Sequence, residues 1–235
     1  MLFLDQDSVP HRDMVQELCR SIRNAQDRGI RVATAGPIRI DSHTGKKANF
    51  IKSFWRTPFI VYPDTESRPS YSLVDFVISS GSLVPIEVLR LVGGQRGDYF
   101  IDHVDTEWTI RAGAKGLETI GVHTALMEHR VGDSAHRFWL FGWKYIFWHQ
   151  PWRNYYVYRN TFLMAHDNPF NIWQLHLVMR LIKLMIYFLI FSPDRFRRIR
   201  FMLMGIRDGL LNRRGMLDPK TLKLHPIPKT SMDPR

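Results

Sequence analysis

The 235-residue chain contains one cysteine, Cys19. That excludes an internal disulfide and any cysteine-rich metal site, and it fits a reducing compartment. The start, MLFLDQD, has no basic n-region and meets an acid at its fifth residue, so no secretory signal is read there. Long apolar runs are missing too. The most apolar stretch, Ile172–Ser192, contains His176, Arg180 and Lys183, and uninterrupted apolar sequence extends only from Leu184 to Phe191. A spanning helix wants about 20 predominantly apolar residues, so an amphipathic helix on a membrane surface or against the domain is expected instead. Acids are scarce in one region only. Residues 150–235 hold 5 Asp/Glu against 15 Lys/Arg, whereas residues 1–149 hold 17 against 18. A basic excess confined to one end marks two regions with different surroundings and points to an anionic partner. Zinc-finger spacing and an aromatic–basic RNP pattern are both absent, so no nucleic-acid partner is expected.

What is present is ordinary globular composition, 45% hydrophobic and 23% charged. Short apolar runs alternate with amphipathic segments, the pattern of an α/β fold. Met1–Leu4 reads as a buried strand, followed at once by Asp5-Gln6-Asp7-Ser8. Two aspartates one residue apart at the carboxyl end of a strand can ligate a hard cation that also holds a diphosphate. Alternatively, Ser8-Val9-Pro10 opens a helix and Asp7 helps cap it. Met14, Leu18 and Ile22 predict a helix over about 10–28, stopped by Gly29. Ile30–Ile40 reads as a strand broken at Gly36-Pro37, and Asp41–Arg56 as an exposed loop whose Lys46 and Lys47 could touch phosphate. Leu73–Ser79 is a further strand, ending in Ser79-Ser80-Gly81-Ser82, where small residues permit close approach of a ligand or simply turn the chain into a helix. Helices are expected over Pro85–Leu91 and Trp108–Lys115, and a strand over Leu117–Val122.

The stretch Tyr99–Arg111, YFIDHVDTEWTIR, places Asp102, His103, Asp105 and Glu107 within six positions. Carboxylates that close repel one another, so a metal, a cationic partner or a polar substrate is needed to offset them. One of the acids could cap the following helix, but that role does not account for all of them. Downstream, aromatics crowd residues 139–158, interleaved with Arg153, Arg159 and Asn160. Such a surface can stack sugars, sit at a membrane interface or form a packed core. Arg195, Arg197, Arg198 and Arg200 then follow the apolar helix, and an apolar helix with a polybasic patch is the two-signal pattern of peripheral attachment to an anionic membrane surface. Residues 220–235, rich in Pro and Lys, read as a poorly ordered tail.

In this order the segments LFLDQDSVP (2–10), ISSGSLVP (78–85), VGGQRGDYFIDHVDTEWTIRA (92–112), MEHRVGD (127–133), HQPWRNYYVYRN (149–160) and MGIRDGLLNRRG (204–215) resemble bacterial family 2 glycosyltransferases, and among them the rhamnosyltransferases of polysaccharide assembly. The resemblance implies a GT-A fold (a Rossmann-like mixed sheet flanked by helices), a nucleotide-sugar donor such as dTDP-rhamnose and a lipid-linked saccharide acceptor. It also implies a divalent cation, Mg2+ or Mn2+, and inversion at the anomeric carbon. Asp5 and Asp7 match the metal motif, His129 falls at a further metal position, and Asp105 falls at the general base. Glu107 and Asp102 would support the base. Ser80, Gly81, Trp108, Arg111, Arg153 and Arg159 would contact donor or acceptor, and Arg111 would pair with one of the acids. Relatives carry roughly half a nucleotide-binding unit before the metal motif. The expectation is therefore a truncated transferase domain over 1–135, a helical membrane-proximal region over 136–219 and the tail, cytoplasmic and peripheral at the inner membrane face. The alternative is an inactive remnant that still binds membrane or a partner.

Overall fold

The computed structural model describes residues 1–42, 45–54, 57–61, 69–129, 134–139, 143–168 and 172–218, the side chains of 53–54, 57–60, 134–139, 143–148 and 172–173 excepted. The expected tail and the aromatic side chains of 139–148 lie outside what is described. The fold is α/β, a mixed sheet with helices followed by a helical region. It divides into two compact units. The first comprises residues 1–96, 103–132 and 168–174, and the second residues 97–102, 133–167 and 175–235.

In the first unit the elements are β1 (Ser8–Pro10), α1 (Met14–Asp27), β2 (Val32–Asp41), β3 (Phe50–Phe54), β4 (Thr57–Val61), β5 (Tyr71–Val74), α2 (Ile86–Val92), α3 (Val104–Gly113) and β6 (Glu118–His129). β6 is the centre of the sheet. β2 runs parallel to it from Val32 opposite Glu118 to Asp41 opposite His129. Its other edge is shared antiparallel by β5, with Tyr71 opposite Val122, and by β1, with Ser8 opposite His129. A strand buried on both faces reads as a nearly continuous apolar run, and β2 shows it in Val32, Ala33, Ala35 and Ile38. α1 covers one face of this sheet. Met14, Leu18, Ile22 and Ala25 recur every three or four residues and meet Ile120, Val122 and Met127. It ends as its sequence implies: Gly29 takes φ +78°, and the Ile30 amide donates back to the Ala25 carbonyl.

Several expectations are corrected. Met1–Leu4 is not a buried central strand. It lies outside the 81–84 segment, joined by an isolated bridge from Leu2 to Leu83, and Met1 and Leu4 are exposed. The helix does not begin at Pro10, because Ser8–Pro10 pairs with β6; proline is tolerated at the end of so short a strand. β2 is not broken at Gly36-Pro37. It passes through with a register shift after Pro37. The 41–56 stretch is not all loop, since Phe50–Phe54 pairs with β4 as a hairpin.

The second unit contains β7 (Ser134–Trp139) and β8 (Trp143–Trp148), paired as a hairpin, and the helices α4 (Arg153–Asp167), α5 (Ile172–Phe191, of which 175–191 belong here) and α6 (Arg195–Leu210). Tyr158, Leu181, Phe188 and Met202 form its core. α6 packs directly on the α4 backbone. A Cβ at Gly209 would lie 2.7 Å from the Arg159 carbonyl oxygen, so glycine is required for that approach.

Candidate active site

The short β1 strand exists because Asp5-Gln6-Asp7 turns the chain back along β6, with the Ser8 amide donating to the Asp5 carbonyl at 3.1 Å. Pairing Ser8 with His129 brings the turn to the end of β6. One ligand atom each from Asp5, Asp7 and His129 then lies within 4.8 Å of the others. Asp7 Oδ1 is 3.6 Å from His129 Nδ1. Both aspartates are exposed and the histidine is half-buried, so the cluster opens to solvent. Two carboxylates and one imidazole form a donor set that suits Mn2+ or Mg2+ with remaining positions left for water or phosphate oxygens. The three residues singled out as metal ligands are thus brought together by the fold.

The Ser79–Ser82 turn organises this cluster. Ser80 is buried. Its hydroxyl accepts from the Asp5 amide at 3.0 Å and shares a 2.6 Å hydrogen bond with Ser8 Oγ, which in turn lies 2.9 Å from His129 Nδ1. Ser80, expected to touch ligand, positions the cluster through these bonds. Gly81 is also structural. Its φ is +81°, and a Cβ there would sit 2.7 Å from Met127 Sδ and from Pro37 Cγ.

The neighbouring residue, Ser79, reaches Asp105. Its amide donates to Asp105 Oδ2 at 3.3 Å, and the Thr106 amide donates to Oδ1 at 2.9 Å. Asp105 sits in the first turn of α3. Burial pushes its carboxyl above the ordinary range, opposed by the Thr106 and Ser79 amides and by the charge of Arg39. Burial likewise pulls the Arg39 guanidinium down, against the carboxylate. Arg39 was not foreseen as a site residue. It lines a cavity of about 70 Å3 with Asn49, Ile78 and Ser80. The signal for it was a lone cation in an otherwise apolar strand, VATAGPIRI. A second, smaller cavity of about 20 Å3 touches Asp105 together with Ser79, Gln95, Trp108 and Thr109.

The other residues of this block have partners within the fold. Glu107 is wholly buried, accepting from Arg96 Nε at 3.1 Å and from Arg111 Nε at 2.9 Å and Nη2 at 3.0 Å. Arg111 also donates to the Val92 and Gly94 carbonyls, so the Glu107–Arg111 pair joins α3 to the end of α2. Arg111 pairs with an acid as expected, and the acid is Glu107. Trp108 is 4% exposed and donates to the Gly93 carbonyl, and it also lines the small cavity beside Asp105.

Asp102, Arg153 and Arg159 belong to the second unit. Arg153 forks onto Asp102, Nε to Oδ2 at 3.0 Å and Nη2 to Oδ1 at 3.0 Å. Buried Arg159 donates to the Tyr99 and Gly215 carbonyls and lies over the Tyr156 ring at 4.9 Å. Asn160 places its amide nitrogen 2.7–3.0 Å from the carbonyls of Tyr99, Ile101 and Asp102. These clamps hold Phe100 and Asp102 at φ +67° and +63°. L-residues resist that region by about 1–2 kcal/mol each. Arg214 adds a second clamp, bridging Asp98 at 3.0 Å and Asp167 at 2.6 Å, and these partners hold its guanidinium above its ordinary pKa. Asp102, Arg153 and Arg159 are thus engaged in folding the 97–102 loop. Asn160 and Arg214 were not foreseen in that task, since distant carbonyl and carboxylate acceptors leave no trace in a sequence.

No family model matches the chain, and no solved structure matches it. Over 171 residues it is 32% identical to a protein named dTDP-rhamnosyl transferase RfbF from Shigella flexneri, a match covering 72% of this chain and 54% of the relative. The chain spans about half the length of that curated relative.

Proposed function

We propose that the chain carries the metal-binding and base-bearing part of an inverting transfer of rhamnose, from dTDP-rhamnose to a lipid-linked or polysaccharide acceptor. The similarity to a dTDP-rhamnosyl transferase supports the donor and the sugar. The carrying observation is that one turn serves both ends of such a reaction: Ser79 holds Asp105, and Ser80 holds the Asp5–Asp7–His129 cluster. In inverting transfer the acceptor hydroxyl attacks the anomeric carbon while the bond from that carbon to the diphosphate breaks. The hydroxyl proton goes to a base, and dTDP leaves with the bonding electrons. Asp105 takes the proton; each carboxylate oxygen keeps a lone pair beyond the one its backbone amide occupies. Its partial burial makes the ionised form a better base than an exposed aspartate. A divalent cation held by Asp5, Asp7 and His129 would supply counter-charge to the departing diphosphate.

The test has two arms. Mn2+ binding, followed by the loss of the free-ion EPR signal, is expected to disappear in Asp7→Asn and His129→Ala and to persist in Asp105→Asn. Release of dTDP from dTDP-rhamnose with an acceptor extract is expected to require both Mn2+ and Asp105. Metal binding that survives the first two changes would reject the cluster, and full turnover in Asp105→Asn would reject the base.

A further inference from the structure

We infer that the outer face of α5 docks on an anionic membrane surface, with the helix lying in the plane of the bilayer. The helix is apolar on two sides. Leu177, Leu181 and Phe188 are buried, the last two in the core of the second unit. Leu175, Met179, Ile182, Ile186, Leu189 and Ile190 are each about half exposed. At 3.6 residues per turn these six fall on one arc of roughly 100°. A contiguous apolar stripe of this kind on a soluble surface marks an interaction site.

Charge selects the occupant. In the same helical register Lys183 and then Arg180, both exposed, lie along one flank of the stripe. From Ile172 to Arg207 the chain has seven Lys/Arg and a single acid, Asp194. Arg195 and Arg200 are exposed on the first turns of α6, next to Phe196 at 78% exposure. Apolar side chains flanked by cations on one helix, with no carboxylate on it, match the boundary between acyl chains and anionic headgroups. The window Gln174–Phe191 is long and apolar enough to cross a membrane by length and composition. Crossing would place Arg180 and Lys183 in hydrocarbon and strip Leu181 and Phe188 from their core, so the in-plane arrangement follows.

The inference does not depend on glycosyl transfer. A chain that binds vesicles without consuming donor still supports it, and one that consumes donor without binding vesicles does not. The experiment is flotation of the whole chain with vesicles of phosphatidylcholine alone and of phosphatidylcholine mixed with phosphatidylglycerol. Binding is expected on the mixed vesicles and is expected to weaken with salt. Ile182→Glu with Ile186→Glu should abolish it while leaving the circular dichroism melt unchanged, because both positions are exposed. Arg180→Glu with Lys183→Glu should weaken it at least about tenfold on anionic vesicles alone. Absence of binding by the folded chain would overturn the proposal. So would a stable dimer dispersed by Ile186→Glu without vesicle binding, or retention on vesicles after alkaline carbonate, which would mean a spanning helix.

Discussion

Asp102 and Asp105 are three positions apart, yet they belong to different units and meet opposite electrostatics. Asp102 is met by a forked guanidinium from Arg153. Asp105 is met by two backbone amides and the field of Arg39, and burial outweighs them. The first carboxylate is neutralised and serves the fold. The second is held by amides, and its burial raises its hold on the proton.

The widest gap between the two should appear in the rate. Asp105→Asn is expected to lower kcat for dTDP release by about 10²–10⁴-fold. Asp102→Asn should act mainly on stability. An equal fall in kcat for both would break the comparison. Next in size is Glu107→Ala, which removes the buried carboxylate shared by Arg96 and Arg111 and leaves a hole. Loss of one partner from a buried ion pair costs about 3–5 kcal/mol, and the partial exposure of both arginines puts this case at the lower end. A melt shifted by no more than a degree or two would show that the two arginines find other partners. Gly209→Ala should cost about 1–3 kcal/mol by forcing α6 off the Arg159 carbonyl. Urea unfolding followed by tyrosine and tryptophan signals would detect it, and an unchanged midpoint would mean that the helices shift freely. Arg153→Ala leaves a partly exposed carboxylate unpaired, and about 1 kcal/mol is expected after solvent screening.

The smallest effect is on pH, and its sign sharpens the contrast. The folded state holds the Asp105 proton more tightly than the unfolded chain does. Stability from this group is therefore complete below the ordinary carboxylate pKa and is lost as pH rises through the elevated folded value. Turnover rises over the same interval, because only the ionised carboxylate accepts a proton. An acid limb of kcat at an ordinary carboxylate pKa would remove Asp105 from the role.

Much of this was readable before any coordinates. The spacing of Met14, Leu18 and Ile22 specified α1 and its buried face; Asp5 and Asp7 stood out by residue type, and His129 by resemblance alone. The hairpin at Phe50–Phe54 was hidden inside a polar stretch, although three of the five residues of FIKSF are aromatic or β-branched apolar types. Trp108, Arg111 and Arg159 looked like ligand contacts because aromatic and basic residues serve binding sites and cores alike. The tertiary structure adds their partners within the fold: Gly93, Glu107 and the Tyr99 carbonyl.

The amino-acid sequence alone determined the stock of charge: a balanced first region, a basic second one, and an acidic block that demanded compensation. It also determined the two-sided apolar character of α5, since helical periodicity follows from residue order. Tertiary structure decided which acid meets which cation. Asp102 meets Arg153 and Glu107 meets Arg96, while Ser80 reaches back to Asp5. Separation along the chain carries little information about such pairings. They arise where strand register and helix packing bring distant segments within hydrogen-bond reach, and there burial fixes what each charge is worth.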